Sequence, residues 1–185
     1  MSEERKGDWL QTSSGIAFWP LDPRPEEVEI QDIAHALSNM CRYGGHCREF
    51  YSVAQHSVLV SQALSPEYKL WGLLHDAGEA YVVDIPRPLK RFLTNYAEIE
   101  KGVMNAVCDK FDMARKMPDE VKRVDNAILA DEMPQLMKSP PRPWNLIEPP
   151  LGITIRPWTS AEANIRFLSE FRMLTGILQH QRNSS

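Results

Sequence analysis

The stretch LLHDAGEAYVVDIPRPLK, residues Leu73 to Lys90, sets a histidine and three carboxylates into an apolar run and follows them with a basic, proline-bearing tail. Leu70, Leu73, Leu74 and Ala77 recur at helical spacing, which predicts a helix with one apolar face. His75 and Asp76 are adjacent, so their side chains leave such a helix about 100° apart and can both reach one cation beside it. Glu79, three residues after Asp76 and four after His75, shares that face. Charge buried in a leucine-rich run is costly unless something compensates it. A divalent cation would do so.

Working outward, Ile30, Ile33, Ala34, Leu37 and Met40 or Cys41 predict one helix. Val53, Ala54, Val58 with Leu59, and Ala63 predict a second, amphipathic one. Further helices are expected at about 96–112 and 119–137, with Pro134 kinking or ending the latter. The last helix, about 159–179, has the clearest start: Thr159 stands three residues before Glu162 in a capping-box pattern, and Ile165, Leu168 and Phe171 follow at helical spacing. Proline clusters at 20–25 and 139–150 mark loops, because each proline removes a donor and restricts its predecessor. Near the N-terminus, DWLQTSSGIAFWP (residues 8–20) places two short apolar-aromatic runs around TSSG, a pattern that fits a small hairpin. The expectation is a mainly α, single-domain helical bundle over residues 1–185, with at most a short N-terminal β-hairpin and a site-bearing core at about 30–137.

The chain has 185 residues, 43% of them apolar, enough for one core without disulfide or metal staples. Its net charge is −4 and its Lys and Arg residues are scattered, which argues against a nucleic-acid polymer or an anionic membrane surface as partner. Cys41, Cys47 and Cys108 are odd in number and lack a CxxC spacing, so they read as buried cytosolic thiols. MSEERKGDWL contains no apolar signal-peptide region, and no run approaches the roughly 18 apolar residues of a membrane span. A cytoplasmic protein is expected.

Adjacent ligands need partners from other helices. His56 in YSVAQHSVLVSQAL and Asp125 in VKRVDNAILADE each lie on a separate predicted helix beside apolar residues that should face the core. Any one of these residues alone reads as a satisfied core histidine or a helix-capping aspartate. Together, two imidazoles and two carboxylates make a mixed N/O set suited to Mn, Fe, Co, Ni or Zn, with Mg also admissible, and an octahedral ion would keep positions open for water. Such an ion activates water and polarises a phosphoryl oxygen. Glu79 is the candidate proton shuttle, and Asp84 would position the water or protonate the leaving oxygen.

With these residues placed, the sequence resembles the HD-domain phosphohydrolase superfamily, and most of all its compact bacterial and phage or prophage members that act on nucleotides. The matching positions are His56 in YSVAQHSV, the pair His75 and Asp76 in LLHDAGEAY, and Asp125 in VKRVDNAI. The resemblance runs from about Ile30 to Met137, and DIAHALSNMCRYGGH adds a likeness to the prophage branch. It implies that these four residues bind one metal ion, that Glu79 and Asp84 assist catalysis, and that Arg42 holds the phosphate. His35 and His180 fall outside the pattern, so the additional ligands of a binuclear site are missing and one divalent ion is expected. His46 after the glycine pair could face substrate or serve structure equally well.

Lys90 and Arg42 are the expected phosphate cations, whereas Arg87 and Arg91 read as solvated surface. Tyr43 is expected against the sugar, while Phe18 and Trp19 read as packing for the N-terminal segment and Trp71 as core. Trp144 and Trp158 sit in proline-rich loops and carry no functional signal. The leading expectation is a nucleoside 5′-monophosphate phosphatase that prefers deoxynucleotides. A dNTP triphosphohydrolase is the alternative, and a non-catalytic, metal-stabilised nucleotide-binding module a third reading. A homodimer is expected.

Overall fold

Helix α2, Val53–Ala63, runs through the centre of the bundle, with buried residues on every side of it. The sequence reading made it amphipathic; instead α1, α3, α7 and α8 pack around it, and apart from half-buried Leu59 every residue from Val53 to Ser61 is buried, with only Gln62 and Ala63 exposed. That burial is tolerable because each polar residue on α2 finds a partner. Gln55 donates to the Arg156 carbonyl at 2.8 Å and accepts from the Trp158 amide at 2.9 Å. Ser57 donates to the Val53 carbonyl at 3.0 Å, and Ser61 to that of Lys69 at 2.9 Å. Ser52 caps the helix by accepting from the Gln55 amide at 3.1 Å.

The computed structural model describes residues 4–183, and of residues 177–183 the backbone alone. A two-residue hairpin, β1 (Leu10–Gln11) with β2 (Ala17–Phe18), pairs antiparallel as the TSSG turn predicts. The hairpin is anchored to α1, Ile30–Asn39, through Asp32, whose carboxylate accepts from Ser13 Oγ at 2.6 Å and from the Ser14 amide at 2.7 Å. The remaining helices are α3 (Lys69–Leu74), α4 (Glu79–Val82), α5 (Arg87–Lys90), α6 (Tyr96–Lys110), α7 (Asp119–Leu136) and α8 (Ser160–Asn183). The fold is mainly helical, as expected.

One core joins Phe18, Ile33, Leu37, Val58, Leu73, Leu74, Val107 and Phe167 between α1, α2, α3, α6 and α8. A second joins Val60, Trp71, Val121, Val124 and Ile128 on the α7 side of α2. Phe18 is fully buried and stacks on Tyr81 at 3.9 Å, so it packs the hairpin onto the helices as read from sequence. Trp19 packs under the Arg5 guanidinium, 4.3 Å from the ring centre. Of the cysteines, Cys108 is buried but Cys41 and Cys47 are only partly so, a correction to the sequence reading. Burial and the neighbouring Cys41 push the Cys47 thiol up to about 12, so it stays protonated.

Two helix ends fall where expected, with local detail of their own. Helix α7 runs through Pro134 and stops two residues later at Leu136, because a proline removes one donor and the clash it imposes falls only on the preceding turn. At α8 the Glu162 amide donates to Thr159 Oγ1 at 3.2 Å, while the Glu162 side chain turns to Arg166 rather than back to the cap. Among the described residues no helix is long and apolar enough to cross a membrane.

Gly72 sets how closely α3 approaches α2. A Cβ at that position would stand 2.3 Å from Leu64 Cδ1 and 3.1 Å from Ser61 Cα, and the second neighbour is backbone that cannot rotate away. We expect Gly72→Ala to lower stability by about 1–3 kcal/mol through overpacking. Urea melts read the change, and an unaltered midpoint would show that the two helices can part without cost.

Candidate metal centre

The helix predicted through LLHDAGEA does not form as one piece. Helix α3 stops at Leu74, α4 starts at Glu79, and between them the backbone tightens to three-residue hydrogen bonds, Ala77 amide to Leu74 carbonyl at 3.0 Å and Glu79 amide to Asp76 carbonyl at 2.9 Å. In such a 3₁₀ turn side chains three apart eclipse, so Glu79 lies over Asp76 more directly than an α-helix would place it. A mid-helix stretch of this kind often accompanies a functional position.

Four side chains from three elements meet at this turn. His56 Nε2, from α2, lies 3.3 Å from His75 Nε2 and 3.1 Å from Asp125 Oδ1 of α7. His75 Nε2 is 3.7 Å from the same Asp125 oxygen and 3.2 Å from Asp76 Oδ2, which is 3.9 Å from His56 Nε2. Ligand atoms held about 2.0–2.2 Å from one ion stand about 3 to 3.6 Å apart as neighbours and up to about 4.4 Å apart when opposed, so these separations suit a shared cation. His56, His75 and Asp125 therefore form a set that can hold a metal ion, with Asp76 beside it.

The ring nitrogens that face away are tied down. His56 Nδ1 meets Glu132 Oε1 at 2.7 Å, and His75 Nδ1 donates to the Gly72 carbonyl at 2.7 Å. Both hydrogen bonds leave the Nε2 lone pairs directed at the common point, the arrangement by which a metal-binding histidine is oriented. The electrostatics agree. Burial alone would lower the His75 imidazole, yet Asp76 and Asp125 raise it well above the ordinary histidine range, so without an ion it takes up a proton. Burial would raise Asp125, but the His56 and His75 rings against it hold it far below the carboxylate range. Asp76 is likewise held down to about 2, against its burial, by His75. A divalent cation would replace the proton that balances these carboxylates.

Glu79 sits in the opposite state. Burial, then the negative charges of Asp76 and Asp84, push its carboxyl up to about 9. Its Oε2 is buried without a hydrogen-bond partner among the described residues, and its Oε1 is 3.6 Å from Lys90 Nζ. Lys90 itself donates to Glu100 at 2.7 Å, so its charge is shared. Asp84 is half-buried, and burial raises its carboxyl although Arg42 opposes the shift. The residue before it, Val83, takes φ 65° and ψ 154°, a conformation nearly confined to glycine. Tyr96 steadies it by donating to the Val83 carbonyl at 2.9 Å and the Val82 carbonyl at 3.2 Å.

Sequence reasoning missed Glu132. It is fully buried on α7, seven residues beyond Asp125 and therefore two turns along the same face. Besides His56 it accepts from Tyr51 at 2.8 Å and Arg42 at 3.2 Å, and from the Tyr43 hydroxyl. Burial would raise this carboxyl, but Arg42 and His56 hold it down to about 2. The seven-residue interval was legible as a shared face; that an acid rather than a leucine would fill it at zero exposure was the missed signal.

Glu132 also accounts for Arg42 and Tyr43. Arg42 points at Glu132 and lies 3.7 Å from Asp76, with its Nε buried and unpartnered among the described residues. Tyr43, expected against a sugar, turns its hydroxyl into Glu132 and its ring toward Trp144, 5.7 Å away. Tyr43 has φ 56°, held by the Arg42 amide bonding to the Tyr51 carbonyl at 2.9 Å. His35, His46, Arg87 and Arg91 are exposed and join none of this. The side chain of His180 lies outside the described residues.

Removing the negative charge behind His56 should weaken the site without emptying it. We expect Glu132→Gln to lower Mn or Co affinity about 10- to 100-fold, measured by calorimetry on metal-stripped protein. An unchanged affinity would show that Glu132 serves packing alone.

No family model matches the chain. It is 39% identical over 140 residues to the uncharacterized protein YfdR of Escherichia coli K12, an overlap of 76% of this chain and 79% of YfdR. An uncharacterized protein of Rhodobacter capsulatus is 33% identical over 132 residues, 66% of this chain and 67% of that one. Identity of this degree across most of both molecules is carried by a shared fold and core, and the chain belongs to the same family as YfdR.

Proposed function

We propose that this chain is a cytoplasmic, metal-dependent phosphohydrolase of the HD-domain type, which cleaves nucleoside 5′-monophosphates to nucleoside and inorganic phosphate. The observation that carries the reading is the convergence of His56, His75, Asp76 and Asp125 beside a buried carboxyl, Glu79, with an unpartnered oxygen. A structural ion site has no use for a neutral acid at its edge. Proton transfer does.

His56, His75, Asp76 and Asp125 would hold a single divalent ion, and Glu132 with the Gly72 carbonyl would keep both imidazoles in the ligating tautomer. When bound, such an ion supplies Lewis-acid polarisation of a phosphoryl oxygen and acidifies water. Arg42, 3.7 Å from Asp76, would offset phosphate charge with a planar fork, and Lys90, 3.6 Å from Glu79 and shared with Glu100, would add part of a point charge. Water attacks phosphorus, the bond from phosphorus to the 5′ oxygen breaks, and that oxygen leaves with a proton. Glu79 and Asp84 divide the two proton movements between them: one accepts from the attacking water and the other donates to the leaving oxygen.

Metal-stripped protein reloaded with Mn or Co and given NMPs, dNMPs and dNTPs should release orthophosphate from monophosphates. Release of triphosphate from dNTPs would replace this reading with the triphosphohydrolase, and no product with any metal would leave a binding module. Asp76→Ala should lose both metal binding and turnover, whereas Glu79→Ala should keep the metal and slow turnover about 10²- to 10⁴-fold. Full activity in Glu79→Ala would remove its assignment as a proton carrier.

A further inference from the structure

A cavity of about 350 Å³ opens between the His75–Glu79 turn and α6, and His75, Asp76 and Glu79 form one of its walls. Any molecule inside it touches the candidate metal centre. Its size lies at the lower end of the roughly 300–1,000 Å³ spanned by small-molecule sites.

The charges around it decide what kind of molecule fits. Asp76, Glu79 and Glu100 all line the cavity, and the cations there are largely spent on the wall itself. Lys90 is bonded to Glu100 at 2.7 Å, and Arg115 to Asp109 at 2.6 Å. Lys101, exposed on α6, is the one lining cation with no carboxylate partner among the described residues. A di- or triphosphate tail would meet three acidic side chains here and little free positive charge. An uncharged group would not.

The rest of the wall suits a flat heterocycle. Trp71, Met104 and Met117 present an indole and two polarisable thioethers. Asn105, half-buried on α6, faces this space, and its side-chain amide makes no hydrogen bond with any described residue. An amide offers a donor and an acceptor side by side, the pattern that pairs with the edge of a nucleobase. An unpartnered amide in a concave, largely apolar site therefore points to a ligand that carries the complementary edge.

We propose that this cavity is a nucleoside-binding site in which Asn105 reads the base, so that the nucleoside half of a monophosphate occupies it while the phosphate lies at the His56, His75, Asp76 and Asp125 cluster. The assignment rests on the phosphohydrolase reading and deepens it by naming the leaving group. It also excludes the triphosphate tail from this side of the centre.

The test is direct binding of deoxyadenosine, deoxyguanosine, deoxycytidine and thymidine to the full Mn-loaded chain by calorimetry, beside Asn105→Ala and the cavity-filling Met104→Trp, with circular dichroism and Mn affinity as folding controls. The wild-type chain should bind one nucleoside at least about 10-fold more tightly than the weakest, roughly the value of one well-placed hydrogen bond to a base edge. Asn105→Ala should level those affinities, and Met104→Trp should abolish nucleoside binding while retaining Mn. Nucleoside affinities that are absent or equal across the bases in the wild-type chain, or unchanged in Asn105→Ala, overturn the proposal. Orthophosphate release is scored separately: release with unaltered base preference in Asn105→Ala sinks the cavity assignment alone, and nucleoside binding without release from any nucleotide sinks the hydrolase alone.

Discussion

Helices α2 and α3 meet at Gly72 with no side chain between them, and this approach sets two imidazole nitrogens 3.3 Å apart in the interior. Everything else at the centre answers that constraint. Both rings are buried, so their nitrogens need polar partners from the protein. The surroundings supply negative charge: Asp125 from α7 and Asp76 from the 3₁₀ turn on the near side, Glu132 behind His56. The same glycine accepts through its carbonyl from His75 Nδ1, so one residue both permits the approach and fixes the ring that benefits from it.

Glu132 is the hub through which this arrangement reaches the rest of the molecule. Its two oxygens are shared among Arg42, Tyr43, Tyr51 and His56, which joins the loop after α1 to helices α2 and α7 at one buried point. A fully buried carboxylate is costly when it lacks partners, and breaking such a network leaves an uncompensated charge. The loop therefore has little freedom to move independently of the ligands. Its left-handed residues, Tyr43 and Gly44, are the backbone's concession to that geometry.

A second strained residue, Val83, stands on the other side of the centre, where the chain leaves α4 for Asp84. Backbone strain on both flanks, a 3₁₀ interruption in the middle and a buried acid with an unpartnered oxygen among the described residues set this region apart from the regularly packed helices around it. The well-packed cores on either side of α2 supply the rigidity that holds it.

Much of this was legible in the order of residues. Hydrophobic spacing located most of the helices, a serine-glycine turn located the hairpin, and the pairing of His75 with Asp76 inside a leucine run marked the candidate metal centre, because periodicity and the cost of buried charge are local properties. His56 and Asp125 could be nominated for the same reason. Their meeting was another matter. The sequence by itself determined the helical class, the element ends to within a few residues and the four ligand candidates. Only the tertiary structure decided that α2 is buried along most of its length, that the HD helix breaks into a 3₁₀ turn, that Glu132 rather than solvent backs His56, and that a cavity with Asn105 on its wall opens beside Glu79. These features depend on which surfaces are pressed together, from neighbouring helices at Gly72 and Ser61 to the contact of Glu132 with His56 across 76 residues of chain, and no local pattern encodes a distance between helices.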